Sequence, residues 1–314
     1  MAHRILLGLV FASGCITSAE RVATTLRPVA FTGHLHVHIL ADDGSVQVST
    51  ADIAQVEMQV VSSGYDLERD LDLSMTPHGD RVDIVAKTRK HVRLFVFGRR
   101  SLRLEVRMPR DADVEINSGD GSVDVDAITG SLDVATGDGR IAARGARGNV
   151  RLHTGDGSID ARDLDGTIDA STGDGRISVR GARGDIRLHT GDGSIDGRDL
   201  DGNVDASTSD GSVRLAGRFD ALAVHTSDGK LVANVSPGSR MMQPWRLETG
   251  DGSVALELPR DLGARIDAST DDGRVTSTIP LQQFGRSHVA GDINGGGLPI
   301  VVSTGDGSIH LSQL

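Results

Sequence analysis

The sequence predicts an all-β protein: a parallel β-solenoid with about 18 residues per coil, preceded by an antiparallel β module. Three observations predict it. Asp-Gly turns preceded by Gly or Ser place aspartates at 120, 138, 156, 174, 192, 210 and 228, each eighteen residues after the last. A second turn lies midway: ITG at 128–130, ARG at 146–148, LDG at 164–166, ARG at 182–184 and LDG at 200–202. Between turns run short alternating segments such as Ile159-Asp160-Ala161, with apolar residues at 159, 168, 177, 186, 195, 204, 213, 222 and 231. Period-two alternation bounded by turn residues is the pattern of strands with one buried face.

Charge chooses the coil length. Positions 133, 151, 169, 187 and 205 read Asp, Arg, Asp, Arg, Asp, and positions 147, 165, 183 and 201 read Arg, Asp, Arg, Asp. In an eighteen-residue coil these stack on adjacent rungs ~4.8 Å apart as opposite-charge columns. A meander of hairpins would set Asp160 against Asp169, and a thirty-six-residue coil would set Arg183 on Arg147; both juxtapose like charges. The ten residues RLHTGDGSID, present at 151–160 and again at 187–196, therefore mark every second coil, each coil neutralising its neighbour.

The elements follow in chain order. Residues 1–14 carry Arg4, an apolar run from Ile5 to Phe11 and the small residues Ala12, Ser13 and Gly14, the layout of an export signal. Cys15, the single cysteine, follows directly, an arrangement resembling a bacterial lipobox in which the new N-terminal thiol is acylated. One thiol also excludes an internal disulfide. Residues 15–30 read as a tether and 31–116 as the N-terminal β module, with longer strands such as Leu102–Met108 and no Gly-Asp-Gly turns. Residues 117–235 are the regular solenoid, and 236–314 hold irregular coils and a cap, with Asp-Gly turns at Asp251, Asp272 and Asp306.

Composition narrows the function. A net charge of −11 argues against nucleic acid as a general partner, because phosphate binding needs a basic footprint. Aromatics at 3 % leave the core to Ile, Val, Leu and Ala, and give few platforms for stacking sugars.

The runs LEVRMPRDADVEINSGDGSVDV, VALELPRDLGARIDASTDDGRV and GGGLPIVVSTGDGSIHL resemble the bacterial putative-adhesin family, exported β-strand-repeat domains of unknown function. The resemblance covers roughly residues 30–314. It implies a β-solenoid envelope protein and brings no catalytic residues.

Candidate sites are few. The aspartate column, with Asp138, Asp156, Asp174 and Asp192 at its centre, stacks like charges that calcium would relieve. The repeat lacks the ligand pattern of calcium-binding β-rolls, however, and an Asx-type turn with Gly at positive φ accounts for it more simply. His34, His36 and His38 in GHLHVH project from one strand face at i, i+2, i+4, an array suited to zinc, copper or nickel, or to plain solvation. His153, His189 and His225 alternate with Ser171 and Ser207, but a repeated column is not one asymmetric active site. Residues 87–110 hold nine Lys/Arg against one Glu, so Arg99, Arg100 and Arg103 are candidates for an acidic partner, though a solvated strand face or pairing with the acidic solenoid accounts for them more simply. Trp245, the lone tryptophan, is a candidate anchor in the loop SPGSRMMQPW, although a loop tryptophan more often plugs a gap beneath its own loop.

The reading is a non-enzymatic, lipid-anchored envelope protein acting as an adhesin-like or scaffold module. Its partners are the membrane, through the anchor, and an envelope protein, cell surface or glycan. The competing readings are a polysaccharide-acting β-helix enzyme and a calcium-responsive surface module. No cofactor is expected beyond that calcium, and Gly-x-Ser-x-Gly, His-Glu-x-x-His and phosphate-loop motifs do not occur.

Overall fold

The computed structural model describes residues 21–42, 44–89 and 100–314. Cys15 and Arg99 lie outside them. The chain divides into two compact units between Arg147 and Gly148.

In the second unit the eighteen-residue coil is realised strand on strand. Ile159–Thr172, Ile177–Thr190, Ile195–Thr208 and Val213–Thr226 are fourteen residues each and pair in parallel. Ile159 faces Ile177, Ile177 faces Ile195 and Ile195 faces Val213. Each long strand folds sharply in its middle. Along 159–172 the buried positions are 159, 161, 164, 168, 170 and 172, with two outward residues in succession at Arg162 and Asp163. Asp163 and Asp199 take φ of 53° at that corner, where Gly181 takes 70° in the coil between them. Asp is one of the few side chains that tolerates this left-handed conformation. The inward ladders are all but sealed, Ile159, Ile168, Ile177, Ile186 and Ile195 being at most 1 % exposed. Each contributes about 1.5–3 kcal/mol by burial.

The corner also explains the thirty-six-residue repeat. Ala161 is followed by Leu164, Val179 by Ala182, and Gly197 by Leu200, all on the inward face. A small residue at the first position accompanies a large one at the second, and the next coil reverses the order. A Cβ on Gly197 would sit 2.8 Å from Leu200 and 2.9 Å from Leu215, so the leucine occupies the space the glycine leaves. Close-packed interiors require such volume matching, and it adds to the alternation of outward charge.

The Gly-Asp-Gly turns differ from the expected Asx geometry. Their glycines do not have positive φ; those of the intervening turns, Gly166, Gly184 and Gly202, do. What the Gly-Asp-Gly glycines supply is clearance, because a Cβ on Gly193 would overlap the carbonyl of Gly175 one coil below. The turn amide is held by threonine. The Thr190 hydroxyl accepts the Gly193 N–H at 3.2 Å and donates towards the Gly173 and Gly175 carbonyls at 3.1 and 3.0 Å. Thr172, Thr208 and Thr226 repeat the arrangement, and all are buried.

Beyond Val235 the coils lose strict period. Trp245–Thr249 pairs with Pro299–Thr304, which pairs in turn with Ala264–Thr270. The last coil of the chain is therefore inserted between two earlier ones and is not the outermost. Past it, His288–Ile293 lies antiparallel on Ala264–Thr270, in the manner that covers an open sheet edge.

The first unit contains the expected antiparallel strands, but they flank parallel columns that begin at Leu35. One column runs Arg81–Thr88, Leu35–Ala41, Ala112–Ser118, Leu132–Thr136. The other runs Ser101–Met108, Ser45–Thr50, Val123–Asp126, Ile141–Arg144. Leu71–His78 lies antiparallel on the first column and Gln55–Ser63 on the second. Strands distant in sequence thus become lateral neighbours.

Candidate functional site

The strand Leu35–Ala41 alternates buried Leu35, Val37, Ile39 and Ala41 with outward His36 and His38, and His34 stands just before it. The alternation that fills the core therefore aims the histidines at the outer face. Parallel pairing sets His36 opposite Asp113 and Arg81, and His38 opposite Glu115 and Asp83. The carboxylates that the histidine strand itself lacks come from the strands on either side. Residue types alone could not reveal this, because Asp113 and His34 are 79 positions apart.

Asp113 is the hub. Its Oδ1 accepts both the N–H and the hydroxyl of Ser131 at 2.7 Å. Its Oδ2 lies 3.1 Å from His34 Nε2 and 3.4 Å from His36 Nδ1. Partial burial opposes ionisation of Asp113, but the Ser131 and His34 hydrogen bonds outweigh it and hold the carboxyl below its ordinary range. A second group adjoins it: His38 Nδ1 is 3.4 Å from Asp83 Oδ1 and its Nε2 is 3.7 Å from Glu115. Arg81 Nε donates to Asp83 at 2.7 Å. Burial again acts against the charged form of Asp83, and the Arg81 and His38 contacts prevail, lowering its pKa. A groove of about 550 Å³ runs over this face, lined by His36, His38, Arg81, Asp113 and Glu115 among others.

Among the described residues, the donor atoms of His34, His36 and Asp113 all lie within 4.8 Å of one another. The turn aspartates Asp138, Asp156, Asp174 and Asp192 form no such group; each is exposed, one per coil. The His/Ser column stacks as expected, with His153 Nδ1 at 3.0 Å from Ser171 Oγ and His189 Nδ1 at 2.9 Å from Ser207 Oγ.

Trp245 is not a surface anchor. It is 0 % exposed and packs edge-on against Phe219 with ring centroids 6.3 Å apart, because it begins an inward-facing strand rather than ending a loop. Of the basic segment, Arg100 lies over the Tyr65 ring at 5.2 Å and Arg103 approaches Glu105 at 3.9 Å. Arg107 reaches Glu57 at 3.7 Å, so these three arginines, among the described residues of the segment, are met within the unit. The charge columns keep their predicted register but close unevenly. Arg183 Nε is 3.8 Å from Asp201, which also meets Arg218, whereas Asp169, Arg187 and Asp205 share register without forming an ion pair among the described residues.

Comparison with known proteins identifies one family, Toastrack DUF4097, whose profile matches residues 34–312. No curated protein matches the chain. Three similar solved structures are a putative cell adhesion protein from Clostridium sporogenes, a putative adhesin from Bacteroides fragilis and a putative lipid binding protein from Parabacteroides distasonis. The first is 10 % identical, with 94 % of this chain and 100 % of that one covered, at a TM-score of 0.28. The second is 10 % identical, with 96 % and 100 % covered, at 0.36. The third is 11 % identical, with 93 % and 96 % covered, at 0.38. Likeness at TM-scores this low establishes neither fold nor function.

Proposed function

The chain belongs to the Toastrack DUF4097 family, and from that premise we propose a non-enzymatic interaction scaffold, anchored to the bacterial cell envelope through an acylated Cys15. The observation that carries the reading is the in-register repetition of outward side chains. Asp169, Arg187 and Asp205 stand on successive rungs, as do Asp165, Arg183 and Asp201, and as do Ser171, His189 and Ser207. Catalysis needs one asymmetric constellation of nucleophile, base and stabilising donor. A surface that presents the same chemistry rung after rung instead suits an extended partner with matching spacing, such as an envelope protein or a glycan. The anchor rests on Arg4, the Ile5–Phe11 run and the position of Cys15.

The test has two arms. In cells, the wild-type chain is expected to incorporate a fatty-acid probe and to sediment with membranes, and Cys15→Ser to do neither; an unlabelled wild-type chain overturns the anchor. For the scaffold, inverting the whole column with Asp133→Arg, Arg151→Asp, Asp169→Arg, Arg187→Asp and Asp205→Arg preserves alternation along the column while reversing the pattern shown to a partner. Loss of in-cell cross-linking by this folded variant is the expected result, and an unchanged cross-linking pattern overturns the assignment of that surface.

A further inference from the structure

We propose that His34, His36 and Asp113 form a binding site for a divalent transition-metal ion, with zinc the best-matched species. The proposal goes beyond the scaffold reading and does not depend on it.

Donor type comes first. Two imidazole nitrogens and one carboxylate oxygen suit zinc, copper or nickel; calcium and magnesium ask for oxygens only. Spacing comes second. Zinc bonds of about 2.0–2.1 Å in a tetrahedron set the donor atoms roughly 3.3–3.4 Å apart. His34 Nε2 and His36 Nδ1 lie 3.1 and 3.4 Å from Asp113 Oδ2, so two edges of that tetrahedron are already at length. All three donors fall within 4.8 Å.

Orientation is the third argument. Both 2.7 Å bonds from Ser131 go to Oδ1, which leaves Oδ2 turned towards the histidines. A carboxylate held this way by neighbouring groups is the arrangement that tunes and orients a metal ligand. Ser131 is thus a positioning residue. Access is the fourth: His34 and His36 are 52 % and 46 % exposed at the side chain, and the groove beside them leaves a coordination position open. Three protein ligands and one open position is the zinc arrangement that keeps room for a water or an incoming group. His38 stands apart, its ring turned to Asp83 and Glu115, and serves as the internal control.

The experiment uses untagged full-length chain carrying Cys15→Ser, which removes the one thiol as a competing ligand. The protein is stripped with chelator and titrated calorimetrically with zinc chloride; cobalt(II) absorbance reports tetrahedral coordination. One equivalent of saturable zinc is expected, with His34→Ala and Asp113→Asn each weakening it by about tenfold or more. Ser131→Ala is expected to weaken it by about 10-fold, because outer partners of ligands typically contribute that much. His38→Ala should leave it within about twofold, since that ring is not a ligand. The half-exposed histidines leave no cavity when truncated, and Asp113→Asn keeps the side-chain shape; circular dichroism verifies folding of each. The proposal is overturned if zinc does not saturate, or if His34→Ala/His36→Ala binds as tightly as the parent. In either case the cluster is a hydrogen-bonded imidazole–carboxylate group and nothing more.

Discussion

Two regions built from the same parallel strands present different outer chemistry. In the coils from Ile159 to Thr226, lateral neighbours such as His189 and Ser207 are 18 residues apart, save at the bulge where Asp201 faces Arg218, so whatever one rung displays the next displays again or answers in alternation. On the face around His36 the neighbours come from unrelated stretches, with His34 and Asp113 79 residues apart. Repetition makes columns, and columns can only multiply one chemistry. An asymmetric cluster of different donors arises where the chain brings non-repeating strands side by side. The difference teaches that, in a fold of this kind, sites are to be sought where the period fails.

The largest effect should come from the clearance the regular coils demand. Gly193→Ala puts a methyl group into the Gly175 carbonyl, backbone against backbone, where nothing can rotate away. It is expected to cost about 3 kcal/mol or more, as overpacking of a close-packed interior does. Gly79→Ala, at the turn between Leu71–His78 and Arg81–Thr88, meets nothing within 4 Å and pays only for its φ of +72°, about 1–2 kcal/mol. Urea denaturation of both variants tests the contrast. Equal losses would mean that the coils are not held at the contact distance that makes glycine obligatory.

Next in size is the part played by threonine. Thr190→Val keeps the shape but removes the group that binds the Gly193 N–H and reaches the Gly173 and Gly175 carbonyls. A buried amide and carbonyl lose their partner, at about 1–3 kcal/mol. Asp192→Asn, two residues on and exposed, should change stability by no more than about 0.5 kcal/mol. The reverse order, measured by thermal melts, would return the turn to the aspartate.

These residues also mark what the sequence could and could not tell. The coil length was legible, because alternation of charge at 165, 183 and 201 leaves one register without like-charge stacking. The inward isoleucines were legible from period two. The threonine ladder stands in the sequence as the Thr of each TGDG, but its role depends on the amide and carbonyls that the turn geometry brings to the hydroxyl, which residue type alone does not show. Matching of Leu164 to Ala161 and of Leu200 to Gly197 needs the corner geometry, which composition does not encode. Burial of Trp245 is the commoner fate of such a residue, but its place in a strand is hidden by the prolines at 237 and 244, because its pairing with Ile300 depends on a partner 55 residues later. Asp113 was invisible as a companion of His34 for the same reason: pairing between distant strands is decided by the fold.

The smallest effect belongs to the feature that was easiest to read. Arg183→Ala removes the rung between Asp165 and Asp201, yet the Arg183–Asp201 separation is 3.8 Å and the arginine side chain is 71 % exposed. Exposed pairs of this kind contribute about 0–1 kcal/mol and are screened by salt. Stability should therefore fall by a few tenths of a kcal/mol at low ionic strength and converge with the parent in ~1 M salt. Charge reversal, Arg183→Asp, should lose more, since it stacks three carboxylates on successive rungs, and should recover with salt. If both variants match the parent at low salt, the columns do not act on stability at all. Alternation would then serve the register of the chain or the surface it offers, and the volume matching at the coil corner would be what sets the thirty-six-residue period.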